Sequence, residues 1–131
     1  MTSLLLDTGA LIALDRNDRA TWAMLRVASD AGHGVHVPAG AIAQAWRDGR
    51  RQVLLVRALQ HCDEIALFGS GARAAGLLCG QSKTADIVDA SIALTAAGLA
   101  RRSTVSVLTS DAGGIRHLLA TLGAVANIVE V

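Results

Sequence analysis

Ser3-Leu4-Leu5-Leu6-Asp7-Thr8-Gly9-Ala10 is the stretch on which the reading of this chain turns. An unbroken apolar run that stops at a carboxylate, a hydroxyl and a glycine reads as a short strand, Ser3 to Leu6, buried on both faces and ending in a sharp turn. Strands covered on both sides belong to sheets with helices above and below. Ligands of such sheets bind beyond the carboxyl ends of the strands, where the strand order reverses. Asp7 falls at one of those ends.

Outward from this strand, helical and extended patterns alternate. A helix is expected from Ala10 to about Arg16 and a second after Asp18, with Trp22, Leu25 and Val27-Ala28 at near-helical spacing until Gly32 and Gly34. His36-Val37 reads as a strand. Pro38 starts the next helix, Ala39 to Trp46, because its missing N–H costs nothing in a first turn. Gly49 breaks that helix and Gln52 to Gln60 forms another. Glu64 to Phe68 is a third strand, Ala72 to Cys79 a helix, and Gly80-Gln81-Ser82-Lys83 a loop. Ala85 to Leu99 is the strongest helical pattern, with Asp86 and Asp89 three apart and so on one face. Thr104 to Thr109, Ile115 to Leu122 and Asn127 to Val131 complete the series as strand, helix and strand. No repeat or interdomain linker interrupts it. The pattern predicts one domain, residues 1–131, built as a three-layer α/β/α sandwich around a mostly parallel sheet of four or five strands.

The composition agrees with that architecture. Hydrophobic residues make up 52% of the chain, yet Trp22, Trp46 and Phe68 are its only aromatics, so Leu, Val, Ile and Ala must fill the core. A chain of this length buries roughly two-thirds of its unfolded surface. No apolar run approaches the ~20 residues that span a bilayer, and Met1 leads straight into a strand rather than a basic, cleavable leader. A cytoplasmic protein without membrane contact is the expectation. Cys62 and Cys79 lack any metal or disulfide spacing and read as buried free thiols.

The net charge of +1 says little about nucleic acid, but its distribution says more. Lys83 is the only lysine. Arg47, Arg50, Arg51 and Arg57 fall within eleven residues, and the planar guanidinium matches phosphate. A solvated helix face with ion pairs to Asp48 explains the same cluster.

Asp7, the pair Asp86 and Asp89, and Asp111 after the apolar run Val105 to Ser110 all sit at element ends that a parallel sheet would bring together. Oxygen ligands without His or Cys suit Mg2+ or Mn2+, which activate water and neutralise phosphoryl charge. Each acid has a plainer use, since Asp beside a helix start is a common N-cap. His33, His36, His61 and His117 are scattered and show no metal or triad spacing.

With these residues in view, the chain resembles the PIN domain family, and within it the small VapC-type toxins of toxin–antitoxin pairs. The resemblance rests on residues 4–14, on Asp86-Ile87-Val88-Asp89-Ala90-Ser91-Ile92-Ala93 and on Val107-Leu108-Thr109-Ser110-Asp111. It implies that Asp7, Asp89 and Asp111 hold the metal, that Asp86 is an additional site acid, and that Thr8, Thr109 and Ser110 support them. It also implies a Mg2+- or Mn2+-dependent endoribonuclease that hydrolyses phosphodiester bonds, is silenced by a cognate antitoxin and forms a homodimer. Arg47, Arg50 and Arg51 would grip the RNA backbone.

One departure stands out: Gln44 occupies the place where the family ordinarily presents a glutamate. An amide brings no negative charge and is a poor general base. An alternative therefore stays open, a weakened or inactive PIN domain that serves as a partner-binding module. Asp7-Thr8-Gly9-Ala10 also matches the active-site turn of retroviral-type aspartic proteases, but those are almost wholly strands, whereas this chain is rich in helical segments.

Overall fold

A computed structural model of the chain describes residues 1–131. Five strands, β1 (Thr2–Leu6), β2 (Gly34–Pro38), β3 (Asp63–Ile65), β4 (Thr104–Thr109) and β5 (Asn127–Glu130), form one sheet in the order β3-β2-β1-β4-β5. Every neighbouring pair is parallel, with Leu5 opposite His36 on one side and Val107 on the other. The strand order runs outward in both directions from β1 and β4. The switch point therefore lies between the carboxyl ends of these two strands.

Helices α1 (Thr8–Asp15), α2 (Arg19–Asp30), α3 (Ala39–Ala45) and α4 (Val53–Leu59) precede β3, whereas α5 (Gly69–Ser82), α6 (Ile87–Ala100) and α7 (Ala112–Leu122) follow it. α1 packs against α2, α3 and α4, and α5, α6 and α7 pack on one another. Right-handed crossovers that first run one way along the sheet and then the other put these two groups on opposite faces. The result is the three-layer sandwich that the alternation of patterns predicts.

The core is aliphatic throughout. Leu5, Leu6, Leu11, Leu14, Leu25, Leu55, Leu78, Ile92, Leu108 and Ile115 are essentially inaccessible to solvent, and each such side chain contributes about 1.5–3 kcal/mol on burial. Cys79 is buried among them and Cys62 is half-buried; both are free thiols. Burial pushes the Cys62 thiol up to about 12, with Glu64 and Asp63 adding to the effect. No helix is long and apolar enough to cross a membrane.

Four elements differ most from the sequence reading. β3 spans Asp63–Ile65 rather than Glu64 to Phe68, because its partner β2 ends where Pro38 faces Ile65 and gives way to α3. α5 begins at Gly69 and runs through Gly80 to Ser82, where a loop was expected. Ser82 Oγ donates to Leu78 O, and Lys83, at φ 58°, adopts the left-handed conformation that ends the helix. α7 starts at Ala112 rather than Ile115, since Asp111 caps it through Gly114 N and draws Gly113 and Gly114 into the first turn. β2 is longer than His36-Val37, extending back to Gly34 beside Ser3.

Candidate functional site

Asp7 is the only buried acid in the chain. It leaves β1 where the strand is held to β4, its N–H donating to Leu108 O at 3.1 Å. Its Oδ1 accepts from Ala10 N at 2.9 Å and caps α1. Burial raises its pKa, while a hydrogen bond from the Thr109 hydroxyl and the N–H groups of Ala10, Ser110 and Gly9 work the other way. Thr109, itself fully buried, also accepts from Asp111 N at 2.9 Å. One hydroxyl thus ties the acid at the end of β1 to the acid after β4.

This junction requires a glycine. A Cβ on Gly9 would collide with the Ser110 hydroxyl and press on its Cβ and backbone nitrogen. Only at a residue without a side chain can the first turn of α1 come this close to the end of β4.

The other acids sit at helix starts. Asp86 caps α6, its Oδ1 accepting from Asp89 N at 2.9 Å, and Asp111 caps α7 through Gly114 N at 3.0 Å. Capping, the plainer use that the sequence allows, is what three of these acids do. Asp7, Asp86 and Asp111 each spend Oδ1 on a helix-capping backbone N–H, while Asp89 caps nothing and shares a hydrogen bond with the Asp111 carboxyl. The caps also show that α1, α6 and α7 bring their positive ends to the acids.

Asp89, half-buried in the first turn of α6, registers the crowding. Its pKa is pushed up to about 7, first by burial, then by sharing a hydrogen bond with the Asp111 carboxyl, then by the charges of Asp86, Asp111 and Asp7. The four acids that the sequence reading singles out therefore meet at the switch point. None of them pairs with Arg, Lys or His.

Gln44 points into the same neighbourhood. Its Oε1 accepts from Thr8 Oγ1 at 2.6 Å, linking α3 to the first residue of α1. The amide brings no charge to this place.

Arg47, Arg50 and Arg51 lie in the elbow between α3 and α4, where backbone carbonyls and Asp48 approach them. Arg47 Nη1 donates to Trp46 O at 2.7 Å, and Arg50 and Arg51 approach Asp48 at 3.9 Å each. Asp48 thus turns to these arginines and is not among the charges acting on Asp89. The elbow is organised by Gln52, which the sequence reading treats only as a helix start. Its Oε1 accepts from Arg47 N and Asp48 N, and its Nε2 donates to Ala45 O and, at 3.3 Å, to Asp15 Oδ2. A polar residue at the N-cap of α4, next to an apolar helix, was the available signal.

Donor chemistry and charge fit a hard divalent cation: an all-oxygen set, four carboxylates, no internal counter-ion and one acid driven toward its neutral form. No three His, Cys or carboxylate side chains are yet drawn together tightly enough to enclose a metal. The fit is thus in ligand type and charge, not in a closed shell.

No family model matches the chain, and no curated protein matches it in sequence. Its architecture does match solved structures. The structure of VapBC2 from Rickettsia felis bound to a promoter DNA fragment aligns with a TM-score of 0.68 over 98% of this chain and 98% of that one, at 12% identity. The structure of FitAB bound to an IR36 DNA fragment aligns with a TM-score of 0.64, covering 97% of this chain and 94% of that one, at 17% identity. At such identities the likeness is one of fold, and it agrees with the PIN-like sandwich expected from the sequence.

Proposed function

We propose that the chain is a Mg2+- or Mn2+-dependent endoribonuclease of the PIN family and the toxin of a toxin–antitoxin pair. The observation that carries this reading is the meeting of Asp7, Asp86, Asp89 and Asp111 at the switch point with no cationic side chain among them. Gathering like charges at one edge is costly unless a cation joins them.

Asp7, Asp89 and Asp111 would hold the metal, with Asp86 at the rim. When bound, the metal supplies water activation and charge neutralisation at phosphorus. The protein's own part is preorganisation. Thr109 fixes Asp7 and the backbone of Asp111, the helix caps fix one oxygen each of Asp7, Asp86 and Asp111, and three helix N-termini favour an incoming phosphate. Gln44, held by Thr8, retains an amide N–H2 that can donate to a phosphate oxygen where a glutamate would repel it. The same substitution lowers the negative charge available to a cation.

Two partners belong to this reading. The VapBC2 and FitAB structures that share the fold are of toxin–antitoxin proteins, which supports a cognate antitoxin. A homodimer is consistent with the exposed Leu67, Phe68 and Leu77 beside α5.

The test is cleavage of a mixed RNA panel by wild type and Asp7→Asn, with Mn2+, with Mg2+ and with chelator. Metal-dependent cutting that Asp7→Asn abolishes supports the nuclease. A folded wild type that cuts nothing with either metal favours the second reading, a partner-binding module that lost its chemistry when Gln44 took the glutamate's place.

A further inference from the structure

A second basic surface begins where the acids end. A cavity of about 840 Å3 opens at the seam of Gly9, two residues after Asp7, and Ser110, next to Asp111, and is bordered by Arg16 and Arg19. Asn17, at φ 60°, turns the chain from α1 into α2 and forms the wall between this cavity and a second of about 360 Å3, lined by Arg19, Trp22, Arg26 and Arg57. A third, of about 150 Å3, shares Trp22, Arg26 and Arg57 and ends at His61. Because neighbouring cavities share these side chains, they lie in series along α2, a stepped trough from the Gly9–Ser110 seam to the end of α4.

Arg16, Arg19, Arg26 and Arg57 are all exposed, and none makes an ion pair or a side-chain hydrogen bond within the chain. That separates them from Arg47, Arg50 and Arg51. Asp18 and Asp30 also border the trough, leaving arginine in excess by four to two. Asp18 is spent on capping α2, its Oδ2 accepting from Thr21 N and Thr21 Oγ1. Trp22 is locked by its Nε1 donating to Leu14 O at 2.9 Å, so its indole is a fixed, partly exposed wall. Arg19 and Arg26 stand two turns apart, about 10 Å along the helix.

We propose that this trough is the track for the backbone of a single-stranded RNA leaving the acid site. Unpaired arginines at intervals beside a fixed aromatic wall are what a flexible polyphosphate with stacking bases needs. The arginines of the elbow, already engaged, contribute the lesser share. This assignment rests on the nuclease reading for its substrate, but its test does not rest on cleavage.

The experiment is fluorescence anisotropy of a labelled single-stranded RNA 12-mer with the full chain in chelator, across a salt series. The variants are the triple Arg19→Gln/Arg26→Gln/Arg57→Gln, the elbow triple Arg47→Gln/Arg50→Gln/Arg51→Gln, and the single Arg26→Gln, each checked for an unchanged melting curve. The trough triple should lose at least about tenfold in affinity and lower the slope of log K against log salt by roughly two, at about 0.7 per lost phosphate contact. Arg26→Gln alone should lower it by roughly 0.7, which keeps the test alive if the triple misfolds. The elbow triple should lose less than the trough triple. Equal or greater loss in the elbow triple, unchanged RNA binding in the trough variants, or a loss seen only with an acidic peptide in place of RNA overturns the proposal. Cleavage in Mn2+ is scored separately. A wild type that binds along the trough but cuts nothing sinks the nuclease alone, whereas one that cuts while the trough variants bind normally sinks the track alone.

Discussion

The carboxyl edge at β1 and β4 and the elbow Trp46 to Arg51 are both crowded with charge, and they use it in opposite ways. At the edge, the acids are held by helix caps and by Thr109, and none has a cationic partner within the chain. In the elbow, charges of both signs face one another, and the backbone N–H groups are satisfied by Gln52. Self-satisfied polar groups make structure, and like charges held together unpaired leave work for a ligand.

The largest effect expected from this contrast is at the edge. Asp7→Asn should lower metal-dependent cleavage by at least about 100-fold, the upper end of what disturbed metal sites lose, while leaving the fold as stable as before or more so. The second half follows from burial, which raises the pKa of Asp7 and makes its charge a cost in the apo fold. Activity assays beside thermal melts check both. A parallel loss of activity and stability would mean that Asp7 is structural in the way Gln52 is.

Gln52→Ala is the matching break in the elbow. It strands Ala45 O and removes the acceptor for Arg47 N and Asp48 N, so it should cost about 1–3 kcal/mol of stability. Activity per folded molecule should hardly change. Chemical denaturation with cleavage measured on the same samples would show whether the two regions separate this cleanly.

The glycines sharpen the comparison further. Gly9→Ala drives a Cβ into Ser110, including its backbone nitrogen, and should cost about 2 kcal/mol, the middle of the range for overpacking. Gly49→Ala presses instead on the Trp46 indole, whose side of the elbow is open to solvent and can move away. Its cost should be smaller. Equal melting temperatures for the two variants would show that the edge is as yielding as the elbow.

The sequence carried the fold well because the central strands β1 and β4 are short, apolar and followed closely by a carboxylate, and those signals are local. It carried the acids for the same reason, since a cap is read from its own helix. What it could not carry was the pairing of side chains far apart in the chain. Thr109 linking Asp7 to Asp111 depends on the pairing of β1 with β4, and Gln52 reaching Asp15, like Arg16, Arg19, Arg26 and Arg57 lining neighbouring cavities, depends on how α1, α2 and α4 pack. Clustering along the sequence favoured Arg47, Arg50 and Arg51 for RNA contact, yet proximity in sequence also lets charges neutralise one another. Element ends failed where a tertiary cause set them, as when β2 ran out of residues to pair with β3.

The smallest expected effect is one of pH, and it separates the regions by sign. Asp89 has its pKa raised from 3.8 to about 7, so the folded chain binds its proton more readily than the unfolded chain does. Stability from this group is therefore gained as pH falls through about 7 toward 4, and lost as pH rises through the same window. Asp7, also raised, adds in the same direction. Asp18, with its pKa lowered by the Thr21 bonds, works the other way, but only below its ordinary value of 3.8. After discounting for the half-exposed position of Asp89, the gain from pH 7.5 to 5.5 should be about 1 kcal/mol, or about 3 °C in melting temperature. Asp89→Asn should flatten that dependence, and Mn2+ at pH 7.5 should restore much of the stability that acid confers on the wild type, by binding the folded state. A melting temperature that instead falls on going from pH 7.5 to 5.5 would mean that the edge carboxylates are already compensated within the protein, like those of the elbow, and await no cation.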